Sequence, residues 1–343
     1  MRRCGCLYNP HMRTRTAVAL LIFAASIPAA LAGDSSLLGL APADSDVLIG
    51  INFKQIRESN FGKLIQGQVA GPDNVQFKAW TAQAGFDPFS DLDEILIAAP
   101  AKQNPNAFLM MRGKFDAAKL AQLAAVGGMK GSDYHGVQIL ARSGQQGGLS
   151  AVAVLESSLI VGGDEASVRA FVDRRGKSPG PGAAITAMAA EVSKANDIWV
   201  VLHAAPSAFV PPSAAAGPMG DLIRSIEQAS LGLKLGTDIV FSVHAVTHTP
   251  KDAEGLAAAV RLFSGMAAAN QQGNKQVGAL LQKLKVDTEG NTAKLSLAIP
   301  EAEAEAAIRD AIASRKQAGK PAPAQAEPSS NEPGVVTLPA PKQ

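Results

Sequence analysis

Cysteine is nearly absent. The 343-residue chain has two, Cys4 and Cys6, and both stand ahead of the apolar stretch Ala17–Ala32. Everything after that stretch is free of thiols, which excludes disulfides, thiolate metal sites and cysteine nucleophiles from it. Aromatic side chains are also scarce, at 5% of the chain. Past residue 32 there is one tyrosine, Tyr134, and there are two tryptophans, Trp80 and Trp199. These are too few and too scattered to stack sugars or single-stranded nucleic acid, and they are expected in the core.

Ala17–Ala32 has 16 uncharged residues, fewer than the ~20 of a membrane-spanning helix, and it contains Pro28. Arg13 and Arg15 precede it, and it ends Ala30-Leu31-Ala32, with Ala30 and Ala32 at the two positions where signal peptidase requires small residues. A cleavable signal peptide, cut before Gly33, is therefore expected over residues 1–32, and with it export to the periplasm or the medium. The competing possibility, an uncleaved anchor, suits the length and the proline less well. No cysteine follows the run, which argues against a lipid anchor. Met12 offers a second start with the same processed chain.

Charge of one sign is lacking as well. Lys and Arg number 32 and Asp and Glu 30, but Arg2, Arg3, Arg13 and Arg15 lie in the leader, which holds no acid. The processed chain then carries 28 basic and 30 acidic residues, a net of −2. The apparent basicity belongs to the targeting signal, so no nucleic-acid partner is expected.

Hydrophobic periodicity after the leader alternates strands with helices. Asp46–Lys54 places Val47, Ile49, Ile51 and Phe53 on one side, the period of a strand with a buried face. Helices are expected over Ile56–Gln68 and Asn74–Ala84, the latter stopped by Gly85. Strands follow at Glu94–Ala99 and Ala107–Arg112, then a helix capped by Asp116. Gly136–Ala141 and Leu149–Leu155 read as strands, with Ser158–Val161 pairing back after a tight Glu156-Ser157 turn. Asp164 caps the next helix, and Gly176–Gly182 has linker composition. The second half runs helix Ala183–Lys194, strand Asp197–Ala204, a proline-rich loop Pro206–Pro218 and helix Met219–Gln228. Strands Leu231–Leu235 and Asp238–Val246 come next, then a long helix opened by Thr249-Pro250-Lys251-Asp252, a capping box with proline at the first helical position. A hairpin, Lys285–Asp287 and Thr292–Ile299, precedes a last helix from Pro300 to about Arg315. Lys316–Gln343, rich in Pro, Ala, Gln and Glu, is expected to be a disordered tail.

Strand, helix, strand, strand, helix, strand recurs over Asp46–Gln138 and Asp197–Ile299. That is the split βαβ order, so the fold class expected is α+β: two ferredoxin-like units with antiparallel sheets and helices on one face. Their bounds are 33–182, linker included, and 183–315.

The motifs that suggest chemistry are incomplete. Gly176-Lys177-Ser178 resembles the end of a phosphate loop, but Phe171 stands where that loop needs its first glycine. His244 and His248 are four apart, and with His203 they could supply zinc ligands if their strands were neighbours. Asp87, Asp91 and Asp93 interleave with Phe86, Phe89 and Leu92, which fits turns and helix caps better than calcium. Ser150 and Ser242 lie inside expected strands without a Gly-x-Ser-x-Gly elbow. No catalytic, cofactor-binding or metal residue is therefore assigned.

Pro42-Ala43-Asp44 feeding Val47–Phe53, Gly85-Phe86-Asp87-Pro88 and Asp91-Leu92-Asp93 together resemble a group of uncharacterised exported bacterial proteins built on a domain of unknown function. The resemblance covers about the first third of the processed chain. It implies an envelope or secreted location and no catalytic residue. The function expected is that of an exported, non-enzymatic binding or structural module, acting on a protein or envelope partner through sheet edges, grooves or the tail. The alternative is an exported hydrolase, metal-dependent through His203, His244 and His248.

Overall fold

The computed structural model describes residues 35–71, 74–101, 106–142, 144, 148–175, 177, 180–204, 217–269, 275–306 and 309. The expected leader with Ala30 and Ala32, most of the expected loop Pro206–Pro218 and the expected tail Lys316–Gln343 lie outside the described residues.

After a 3-10 turn at Ser35–Leu40 come β1 (Val47–Asn52), α1 (Phe53–Glu58), α2 (Asn60–Val69), α3 (Val75–Ala84) and the single turn α4 (Pro88–Asp91). Next are β2 (Leu92–Ala99), β3 (Phe108–Gly113), α5 (Ala117–Val126), β4 (Lys130–Tyr134), β5 (Val137–Ala141), β6 (Ala151–Leu155), β7 (Leu159–Gly163) and α6 (Glu165–Arg174). The second half holds α7 (Ala183–Ala195), β8 (Ile198–Leu202), α8 (Gly217–Arg224), β9 (Ile226–Lys234) and β10 (Asp238–Thr247). It closes with α9 (Pro250–Ala269), α10 (Lys275–Gln282), β11 (Lys285–Glu289) and β12 (Thr292–Pro300), and residues 301–306 are helical.

The α+β class holds, but the sheets do not separate. All twelve described strands form one antiparallel sheet in the order β11-β12-β10-β9-β8-β1-β2-β3-β7-β6-β5-β4. A split βαβ unit puts a third strand between the two that a helix joins. Here β1 and β2, joined by helices, are direct antiparallel neighbours, with Ile49 opposite Ile97. The outer edge of β1 pairs with β8, Ile49 opposite Val200, and this pairing fuses the two halves. On either side of that seam the chain does the same thing. Three strands meander outward (β1-β2-β3 and β8-β9-β10), a helix crosses to the far edge, and the remaining strands step back inward to β7 beside β3 and β12 beside β10.

Helices cover both faces of the sheet, not one, because many strands are apolar on both sides. On the face of Leu48, side chains of the 3-10 turn (Leu37, Leu38), α6 (Val168, Phe171) and α7 (Ile185, Ala189) bury Leu96, Met110, Val161, Trp199 and Val201. β1 thus buries Leu48 and Gly50 most deeply, and not the Val47, Ile49 and Ile51 side expected from its alternation. Gly50 is required: a Cβ there would lie 2.1 Å from Trp199 Cε2, so the indole lies directly on the glycine. On the face of Ile49, α1 and α2 supply Ile56, Phe61 and Ile65 to a cluster with Ile198, Leu233 and Ile239. Phe115, just ahead of α5, and Leu120 within it pack with Leu92, Met111 and Ile160, and Leu256 of α9 packs on Ile226, Ala229 and Ala245.

Local signals explain most element ends. Asn74, Asp116 and Asp164 accept the backbone N–H three residues on at the starts of α3, α5 and α6, and Gly85 takes the left-handed conformation that ends α3. Thr249 Oγ1 accepts Asp252 N at the start of α9. The expected helix Ile56–Gln68 is two helices, because Ser59 is extended and its hydroxyl accepts Gly62 N, starting α2 anew. The expected helix Met219–Gln228 stops at Arg224, and β9 begins at Ile226 in pairing with Thr247.

Candidate functional site

The residues singled out by chemistry do not assemble. His203 follows the end of β8 and its backbone N–H donates to Asp46 O. His244 is on the Leu48 face of β10, opposite Ser230 and Lys294. His248 lies past β10, with Nε2 3.6 Å from Glu227 Oε1. Among the described residues no group of three or more His, Cys, Asp or Glu is placed to hold a metal ion. Asp87 caps α4 by accepting Phe89 N, Asp91 Oδ2 accepts Asp87 N, and Asp93 pairs with Arg57 at 3.1 Å. Ser150 is buried and its N–H donates to Gly163 O, while Ser242 Oγ reaches Gly232 O at 3.4 Å. Gly176 and Ser178 lie outside the described residues, and Lys177 N–H donates to Arg174 O.

Of the three aromatics expected in the core, only Trp199 is fully buried. Trp80 is 39% exposed beside Phe77 and Phe86. Tyr134 sits at the β4–β5 hairpin, where its hydroxyl reaches Asp173 Oδ1 and Oδ2 at 3.1 and 3.0 Å and Arg169 lies over its ring at 4.6 Å. The hydrogen bond to Asp173 raises the tyrosine pKa above its usual value, because ionising would lose the donor and set two anions together. His135, next in the turn, has φ +52° and Gly136 +78°, the left-handed pair of a two-residue hairpin turn.

A depression of about 450 Å³ is lined by Gly85, Asp91, Gly113, Phe115 and Ser157, among others. Much of its rim is main chain that is already paired: Lys114 N donates to Asp91 O and Phe115 N to Ser157 O.

The feature that alternation alone does not reveal is a row of apolar side chains across the sheet. Cross-strand pairing on the Ile49 face aligns Leu109, Ile97, Ile49, Val200, Leu231, Val243 and Leu295, one from each of seven consecutive strands. All seven are half-buried. Among the described residues none of them belongs to, or packs against, a buried cluster. Yet the rows two residues to either side are covered in part. Met111, Ile95, Ile51, Ile198 and Leu233 lie under or beside side chains of α1, α2 and α5, and Leu202, Ala229 and Ala245 lie under Leu256 of α9. At Val200 and Leu231 both flanking rows are packed, so the floor there is one residue wide. At the ~4.8 Å spacing of neighbouring strands the row runs for about 29 Å.

The floor is hydrocarbon throughout. Among the described residues the row itself carries no donor, acceptor or titrating side chain, so what it offers a ligand is apolar contact. Its signal in the sequence was the run of apolar residues at consecutive positions in EILIAA, AFLMMR and DIWVVLHA, which marks strands apolar on both faces. No family model, no curated protein and no solved structure matches this chain. No described helix is long and apolar enough to cross a membrane.

Proposed function

We propose that the chain is an exported binding module of the cell envelope that takes an apolar partner along the row from Leu109 to Leu295 and performs no reaction on it. The observation that carries this is the row itself: seven in-register hydrocarbon side chains left partly exposed on a face whose neighbouring rows are packed in part. Apolar surface in a contiguous stripe costs free energy in water at roughly 25 cal/mol per Å². Contiguous apolar surface left partly open to solvent is the kind of surface that sites of interaction use. Export rests on the leader Ala17–Ala32 and the Ala30/Ala32 processing signal, and amino-terminal sequencing of protein recovered outside the cytoplasm tests it: material starting upstream of Gly33 contradicts it.

We read the two halves of the sheet, 33–182 and 183–315, as diverged copies of one unit. The row supports this, since a local twofold between Ile49 and Val200 carries Ile97 onto Leu231 and Leu109 onto Val243. The binding floor then belongs to both copies.

Titration of the processed chain with a neutral apolar dye tests the function. Binding is expected to saturate, and Val200→Glu or Leu231→Glu is expected to weaken it about ten-fold or more, since a carboxylate on that floor must keep its water. Binding that ignores both substitutions, in variants with unchanged circular dichroism, contradicts the proposal.

A further inference from the structure

At one end the row meets a cation. Leu295 pairs with Val286 of β11, the next strand out, and Val286 is buried. The guanidinium of Arg261, from the middle of α9, donates to Val286 O at 2.5 Å. Arg261 is exposed, and among the described residues it has no carboxylate partner. Of the basic residues of this edge, Lys283 pairs with Glu303 and Lys294 with Glu289, and Lys285 is on the face of β11 opposite to Val286. An apolar track about 29 Å long thus ends at a charged group that, among the described residues, makes only the bond to Val286 O.

Resting on the binding function proposed above, we infer that the occupant of the row is a long-chain fatty acid, its hydrocarbon tail on Leu295, Val243, Leu231 and Val200 and its carboxylate at Arg261. Charge complementarity chooses the head: a guanidinium with no carboxylate beside it among the described residues is matched by one, which it can hold through two parallel N–H donors. The floor chooses the tail. An extended peptide lying across the strands would bury backbone N–H and C=O groups against side chains that cannot pair with them. A helix is 10–12 Å across, whereas at Val200 and Leu231 the packed rows begin only about 7 Å to either side. A polymethylene chain has no polar group to satisfy and is narrow enough. Length suits four strands: Leu295 to Val200 is about 14 Å at the strand spacing, and one acyl chain spans half of a bilayer's ~30 Å hydrocarbon core.

The test is displacement of the neutral dye from the processed chain, which carries every described residue, by a saturated C16 carboxylate and by the C16 alcohol below their aggregation limits. The carboxylate is expected to displace at about five-fold lower concentration than the alcohol, the margin an exposed ion pair supplies. Arg261→Gln is expected to remove that margin while leaving dye affinity unchanged, and Arg261→Lys to keep part of it. Equal displacement by acid and alcohol, or a margin that survives Arg261→Gln, overturns the inference while leaving an apolar binding function standing. Saturable dye binding that neither amphiphile displaces overturns it too. Loss of saturable dye binding altogether is the separate failure of the function on which it rests.

Discussion

Substituting Gly50→Ala puts a methyl group where the indole of Trp199 already lies. The added Cβ would sit 2.1 Å from Cε2, 2.2 Å from Cζ2 and 2.4 Å from Nε1, so the ring or strand β1 must give way by more than 1 Å to restore ordinary contact of about 3.5 Å. Trp199 is 1% exposed and held under the main cluster of the Leu48 face, so it has no free direction in which to retreat. Overpacking of this kind costs about 1–3 kcal/mol. The upper part of that range is expected, because the obstacle is a rigid bicycle pinned between two strands. Urea unfolding followed by fluorescence is the assay, in a Trp80→Phe background so that Trp199 is the only reporter. The cycle closes with circular dichroism on Trp199→Ala, where Gly50→Ala should become neutral or mildly stabilising, since alanine loses less backbone entropy than glycine. A cost below about 0.5 kcal/mol with Trp199 intact, or the same cost in both backgrounds, would refute the packing argument.

Four further outcomes are expected. Tyr134 is the only tyrosine in residues 33–343. Absorbance titration of tyrosinate in the processed chain should therefore show one transition above the usual pH of about 10, moved down by Asp173→Asn. A folded-state pKa raised in this way stabilises the hairpin contact below the unfolded pKa and loses that contribution as pH climbs through the folded one. Ser157 has φ +53° in the β6–β7 turn, so Ser157→Gly should raise stability by about 1 kcal/mol in thermal melts. Asp197 is buried and accepts Lys234 Nζ at 2.6 Å and Leu235 N at 2.7 Å; Asp197→Ala strands that N–H and should cost about 2–3 kcal/mol by urea titration. Glu301 accepts Phe61 N at 3.1 Å and Asn60 Nδ2 at 2.9 Å, so Glu301→Ala should cost about 1 kcal/mol and speed proteolysis after Pro300.

What the sequence disclosed was local. Asn74, Asp116, Asp164, Gly85 and Thr249-Pro250 act through bonds made within a few residues, and the elements they bound lie where they were expected. So does the tight turn at Glu156-Ser157. What it concealed was set by partners far away in the chain. β4, Lys-Gly-Ser-Asp-Tyr, has no apolar alternation because it is an exposed sheet edge, and its pairing with β5 alone makes it a strand. The pairing of β1 with β8 joins residues some 150 positions apart, and no turn signal announces it, so an order of elements that suits two ferredoxin-like units also suits one continuous sheet. The same pairing assembles the row. Each strand contributes a single residue to it, so no local window contains more than a trace of the floor.

The openness of that row can be measured directly, because residues 33–343 contain no cysteine to interfere. Single cysteines are placed at Val200 and Ile97 on the row and, as counterparts on the opposite face of the same strands, at Val201 and Leu96, and their rates of alkylation are compared in the native state. The account predicts that the first pair reacts at least about ten times faster than the second and is slowed by a saturating apolar ligand. Equal, slow labelling at all four positions would show that the row is covered, and would contradict the binding function drawn from it.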